Sequence, residues 1–157
     1  MIKYRNYKYG DEKLIIKLYK KVFGKEMTIQ NWQWKYNTFA EAGKFIFLVF
    51  DKSRCVGQYA LIPYRLNSYG ETIQALLSLD SMVHPDYQGQ RIFTELIKYA
   101  RNELKSLKHP LITFINENTI HVYTKKFNWK YLGNIPVYCR PLSLKQLRNS
   151  NKLLFSL

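Results

Sequence analysis

The stretch Gln74–Leu96, "QALLSLDSMVHPDYQGQRIFTEL", decides how this chain folds. Its first part, "QALLSLDSMV", is a nearly continuous apolar run and reads as a buried strand. His84-Pro85-Asp86 opens a turn, since proline fixes its own φ and aspartate bonds readily to nearby backbone. From Ile92 on, the apolar residues Ile92, Phe93, Leu96, Ile97 and Leu104 fall at helical spacing. Strand, short loop and helix therefore follow directly. A helix start leaves backbone N–H groups without partners and carries about half a positive charge. Anions, phosphate above all, bind at such places. Gly89 removes a Cβ where backbone would have to approach one closely.

The flanking segments complete the pattern. Residues 2–8, "IKYRNYK", alternate as a first strand does. Leu14, Ile15, Leu18, Tyr19 and Val22 give a helix over 11–23, with Asp11 as N-cap and Gly24 just past its end. Thr28 caps a second short helix, "IQNWQWKYN". Its Trp32, Trp34 and Tyr36 belong either to the core or to the mouth of a site. "FIFLVFD" (45–51) and "CVGQYALIPYRL" (55–66) flank the polar turn "DKSR" and predict a hairpin, and a turn at Tyr69-Gly70 leads into the quoted strand. "LITFIN" (111–116) predicts another strand, "TIHVYTKKF" a short helix, and "KYLGNIPVYCRPL" (130–142) a terminal strand. The expected fold is α+β (mixed α/β). One central, mostly antiparallel twisted sheet of six to seven strands is flanked by about four helices. Nothing marks a domain boundary, so residues 1–157 read as a single domain.

Composition narrows the function classes. A chain of 157 residues buries roughly 70% of its unfolded surface and needs no disulfide or metal staple. The two cysteines, Cys55 and Cys139, form no CxxC pair, which fits a reducing compartment and a cytoplasmic location. The polar N-terminus is no signal peptide, and no apolar run is long enough to span a bilayer. The net charge is +14, but its lysines are scattered. A nucleic-acid partner is therefore not expected, whereas a diffuse positive field still draws in anionic ligands. No metal is expected, for there is no HxH, HExxH or cysteine pair; GxSxG and P-loop patterns are also missing.

The loop and a second motif together resemble the GNAT superfamily of N-acetyltransferases. That family shows Gln/Arg-x-x-Gly-x-Gly/Ala between a strand and a helix; here the segment is Gln88-Gly89-Gln90-Arg91-Ile92-Phe93, with Arg91 and Phe93 at the two later glycine positions. Downstream, Asn116, Thr119, Tyr123 and Lys125 keep the family's spacing, and Asn128-Trp129, displaced by one residue, replaces its Gly-Phe. The resemblance spans nearly the whole chain, element order included. It implies acetyl-CoA as co-substrate, with the pyrophosphate on Gln88, Gly89, Gln90, Arg91, Ile92, Phe93 and Thr94. It further implies pantetheine against the backbone of Met82 and Val83 and near Asn116, and Tyr123 as general acid toward the coenzyme thiolate. A phenol of pKa about 10 suits that last task. The proton acceptor for the amine is expected among few carboxylates, Asp80 or Glu117, or is water. Arg91 is expected to swing outward and meet a phosphate.

The reading is thus an acyl-CoA-dependent N-acyltransferase acting on a small amine or amino sugar. The alternatives are a coenzyme-binding module without turnover and a basic nucleic-acid-binding domain. A homodimer is compatible with the sequence.

Overall fold

The computed structural model describes residues 1–37, 45–115 and 117–136; the side chains of residues 37, 117 and 118 lie outside the described set. In chain order the elements are β1 (Ile2–Asn6), α1 (Glu12–Phe23), α2 (Ile29–Asn37), β2 (Ile46–Asp51), β3 (Arg54–Ser68) and β4 (Glu71–Val83). A 3-10 turn (Pro85–Tyr87), α3 (Ile92–Glu103), β5 (Leu111–Thr113), α4 (Glu117–His121) and a π-helical turn (Val122–Lys126) complete it. Chain contacts fall into two compact units, Met1–Phe114 and Ile115–Leu157.

The first unit holds one sheet in the order β1-β2-β3-β4-β5. All neighbours are antiparallel except β4 and β5, which run parallel. Five strands among the described residues replace the expected six to seven. The expected terminal strand is the difference: residues 130–136 carry no regular structure, and 137–142 lie outside the described residues.

The apolar run of β2 explains itself in this frame. Ile46, Leu48 and Phe50 join Ile15 and Leu18 of α1, Trp32 and Tyr36 of α2, and Ala60 and Met82 in one buried cluster. Phe47 meets Tyr99 of α3 edge-on at 6.1 Å, so the alternate residues face the other helix layer. A strand covered on both faces has no polar side to show. Gly57 belongs to the α3 face. A Cβ there would stand 3.2 Å from Val49 Cγ2 and 3.6 Å from Ile92, so glycine lets the start of α3 sit close to the sheet.

The three aromatics of α2 divide by helical geometry. Trp32 and Tyr36, four residues apart, are buried side by side with ring centroids 5.2 Å apart; Trp34 points out, 77% exposed. Thr28 caps α2 through its Oγ1, which accepts from Asn31 N–H at 3.1 Å. Gly24 takes φ 65 and returns its N–H to Lys20 C=O, as expected for a helix end. Asp11 departs from expectation. Its carboxylate makes no cap bond into α1. Instead it accepts a two-pronged contact from Arg5 (2.7 and 2.8 Å) and the Lys8 N–H (2.7 Å), joining β1 to the start of α1.

Burial works against ionising Asp11, yet the Arg5 fork and the Lys8 N–H outweigh it and hold its carboxyl below the ordinary carboxylate range. A depressed folded-state value adds stability above the unfolded pKa of about 3.9, and that stability is lost as pH falls through the folded value. The expected outcome is that Asp11→Asn lowers stability at pH 7 and flattens the acid limb of a stability-versus-pH curve below pH about 4, read by urea denaturation.

Candidate active site

Strand β4 is the spine of the site. It pairs with β3 along almost its whole length, but with β5 only from Leu76 to Ser78. From Leu79 onward no described strand flanks that side. His84 donates its N–H to Val56 C=O of β3 at 2.8 Å. Backbone groups alternate in direction along a strand, so Val83 turns its N–H and C=O toward the open side. Gln88 Nε2 meets that carbonyl at 3.2 Å. Met82, the neighbouring expected contact, pairs with Gln58 of β3 and buries its side chain in the core.

Between Ala60↔Leu79 and Gln58↔Met82 two residues of β4 oppose one of β3. This is a β-bulge, and Asp80 stands in it at φ 43. Aspartate is among the few non-glycine residues that tolerate such a backbone. Asp80 Oδ2 accepts from Lys35 Nζ and Tyr36 OH, both at 2.6 Å, and its C=O accepts from Gln58 Nε2 at 3.1 Å. Burial, then the Asp80 carboxylate, pushes the Tyr36 hydroxyl well above the ordinary tyrosine pKa, so it remains a donor.

The loop after β4 is fastened to the β2–β3 turn. Arg54 meets His84 Nε2 at 2.5 Å, and Tyr87 OH donates to Asp51 at 3.0 Å. The Asp86 N–H also lies 3.2 Å from His84 Nδ1. A neutral imidazole has one acceptor nitrogen, so both contacts cannot be full hydrogen bonds. The shorter one, from Arg54, takes the lone pair. Burial, then Arg54, lowers the His84 pKa and keeps the ring neutral. Nothing local in the sequence marks Arg54, because its partners lie thirty residues on.

The loop then climbs through Gly89 (φ 75) and Arg91 (φ 61), both left-handed, into α3. The first helical hydrogen bond runs from Glu95 N–H to Arg91 C=O, so the amides of Ile92 and Thr94 precede the ladder. Gln90 folds back onto Asp86 C=O at 2.9 Å. A Cβ at Gly89 would meet nothing within 4 Å, so the backbone there faces open space. Arg91 is exposed at the position where the motif expects glycine. Its left-handed backbone accounts for that preference. These amides, with the helix dipole, fit a pyrophosphate.

In the second unit, Tyr123 opens onto the π-helical turn and is buried, with its ring edge-on to Trp129 at 5.1 Å. Its C=O accepts the Trp129 N–H at 3.1 Å across Asn128, which takes φ 57 as glycine would. Asn116 and the side chain of Glu117 lie outside the described residues; the backbone of Glu117 starts α4. No group of metal-ligating side chains occurs among the described residues, and no helix there is long and apolar enough to cross a membrane.

A sequence profile described as an acetyltransferase (GNAT) domain matches residues 3–132. No curated protein matches the chain. Among solved structures, it is similar to glucosamine-6-phosphate N-acetyltransferase from Arabidopsis thaliana, at 12% identity and TM-score 0.67, over 88% of this chain and 98% of that one. It is similar to an aminoglycoside 6'-N-acetyltransferase from Acinetobacter haemolyticus at 13% identity and TM-score 0.66, over 90% and 99%. A predicted acetyltransferase with acetyl-CoA from Clostridium acetobutylicum gives 16% and 0.64, over 88% and 96%. At these identities the structures establish a shared fold.

A non-glycine residue in the left-handed region costs about 1–2 kcal/mol. Arg91→Gly is therefore expected to stabilise the protein by about 1 kcal/mol in urea denaturation, and Gly89→Ala to destabilise it by a similar amount.

Proposed function

Since this chain belongs to the acetyltransferase (GNAT) family, we propose that it moves an acetyl group from acetyl-CoA to a primary amine of a small molecule or amino sugar, by direct attack of the amine on the thioester. Residues 1–157 act as one acyltransferase domain in this reading, in line with a profile match that crosses from the first compact unit into the second.

The observation that carries the proposal is the run from Val83 to Thr94. An open backbone edge leads through two left-handed residues to a helix start. In this reading Val83 bonds the pantetheine arm, and the amides from Gly89 to Thr94 hold the pyrophosphate. Arg91, exposed beside them, adds a charge-assisted contact to a phosphate. A β4 N–H facing the open side stabilises charge growing on the thioester oxygen. The C–N bond forms as the C–S bond breaks. Tyr123 gives its phenolic proton to the leaving thiolate, and the amine gives up one of its own. Because Oδ2 of Asp80 already carries two donors, water or Glu117 is favoured as the acceptor of that proton.

The amino-sugar class rests on two supports. Similar structures include enzymes whose names specify glucosamine-6-phosphate and aminoglycosides. The exposed Trp34 on α2 supplies a flat apolar surface of the kind a sugar ring stacks on.

Calorimetric titration with acetyl-CoA at physiological salt is expected to give micromolar binding, and no binding at millimolar coenzyme would overturn the proposal. Arg91→Gly is expected to weaken that binding several-fold while stabilising the fold. Tyr123→Phe is expected to leave coenzyme affinity unchanged and to cut kcat by about 10²–10⁴-fold in an acetyl-transfer assay.

A further inference from the structure

Asp80 is held at both ends by side chains distant in sequence. Its carboxylate receives Lys35 and Tyr36 of α2, 45 and 44 residues away; its carbonyl receives Gln58 of β3. All four residues lie on or beside the sheet face covered by α1 and α2. Gln58 is fully buried, and its Oε1 has no hydrogen-bond partner among the described residues. Turning the amide over would not cure this, for the oxygen would then face the Asp80 carbonyl. The orientation that leaves Oε1 orphaned is the one that fixes the peptide after Asp80. That peptide sits in the bulge, within the stretch of β4 that no described strand flanks on one side, and Asp80 stands three residues before Val83.

A proton acceptor must present a lone pair to the incoming amine. Oδ2 of Asp80 instead receives an ammonium and a hydroxyl at 2.6 Å each, which leaves Oδ1 alone for that role on a side chain only 15% exposed. We infer, building on the function proposed above, that Asp80 is a positioning residue and not the proton acceptor. Clamped by Lys35, Tyr36 and Gln58, it fixes the bulge that aims the β4 backbone at the thioester. The same clamp fixes α2, so it also sets where Trp34 stands toward the acceptor. The carboxylate acts through the backbone and through α2 rather than on the reacting atoms.

Two properties of Asp80 can be removed separately. Asn keeps an acceptor oxygen for Tyr36 and tolerates positive φ, but cannot serve as a base. Ala loses both the oxygen and the tolerance. Gly keeps the backbone without the carboxylate and replaces Ala if that variant fails to fold. Hydrogen–deuterium exchange of the apo protein is measured first, over β4 residues 79–83 and α2. Asp80→Ala (or Gly) is expected to speed exchange in both segments, with Asp80→Asn close to wild type; no change in either segment with Ala or Gly overturns the clamp. With an acceptor that supports turnover, kcat, KM and pH profiles follow. Asp80→Asn is expected to keep kcat within about tenfold and to retain the pH-dependent limb, while Asp80→Ala loses about 100-fold, the scale of one misplaced oxyanion donor. Tyr36→Phe and Lys35→Met are expected to add little in the Ala background, since the cycle closes on one shared contact. An Asp80→Asn enzyme as inactive as Asp80→Ala, with the limb gone, makes Asp80 the base and overturns the inference. The exchange readout needs no coenzyme, so a wild-type protein that fails to bind acetyl-CoA would sink the proposed function without deciding the clamp.

Discussion

One strand carries two incompatible obligations. β4 must pair along its length with β3 to hold the sheet together, and in the proposed function it must also leave backbone groups unpaired to meet the coenzyme. The fold resolves this by giving β4 a parallel partner for only three residues, Leu76 to Ser78. Beyond them the strand keeps β3 on one side and opens on the other. Unpaired strand edges are normally a liability. Here the open edge at Val83 leads through a loop whose first amides, from His84 to Gln88, are tied up within the protein, to the left-handed turn at Gly89 and the start of α3.

Left-handed residues shape the backbone at several of these points, three in the first unit and one in the second. Asp80 makes the bulge, Gly89 and Arg91 shape the loop, and Asn128 closes the turn after Tyr123. Three of the four are residue types that tolerate this conformation well. Arg91 does not, and the strain it carries accompanies a cation placed beside the helix start. In the proposed function, that combination makes it the residue of the loop through which stability and anion binding trade against each other.

Much of this was legible in the order of residues. The helical spacing in α1 and α3, the alternation in β1 and the turns at Lys52 and Tyr69-Gly70 are local, and they appear where expected. The strand-loop-helix unit was legible because its glycine and its amphipathic run are adjacent. The division of Trp32, Trp34 and Tyr36 was open because alternate residues of a short helix face opposite ways, and only the packed sheet says which way is in. The Asp80 clamp was hidden for a different reason. Its members lie 44, 45 and 22 residues from Asp80, and no periodicity encodes a side-chain contact over such distances. The bulge was hidden too, since an apolar run with one aspartate reads the same with or without an extra residue. Arg54 and His84 met only through the fold.

The central claim is that backbone amides, rather than the scattered lysines, receive the coenzyme. Hydrogen–deuterium exchange with and without acetyl-CoA tests it most directly, at single-residue resolution. The account predicts slowed exchange at Val83 and from Gly89 to Thr94, persisting at raised salt. Protection absent from those amides while acetyl-CoA is bound, or binding that salt abolishes, would contradict it.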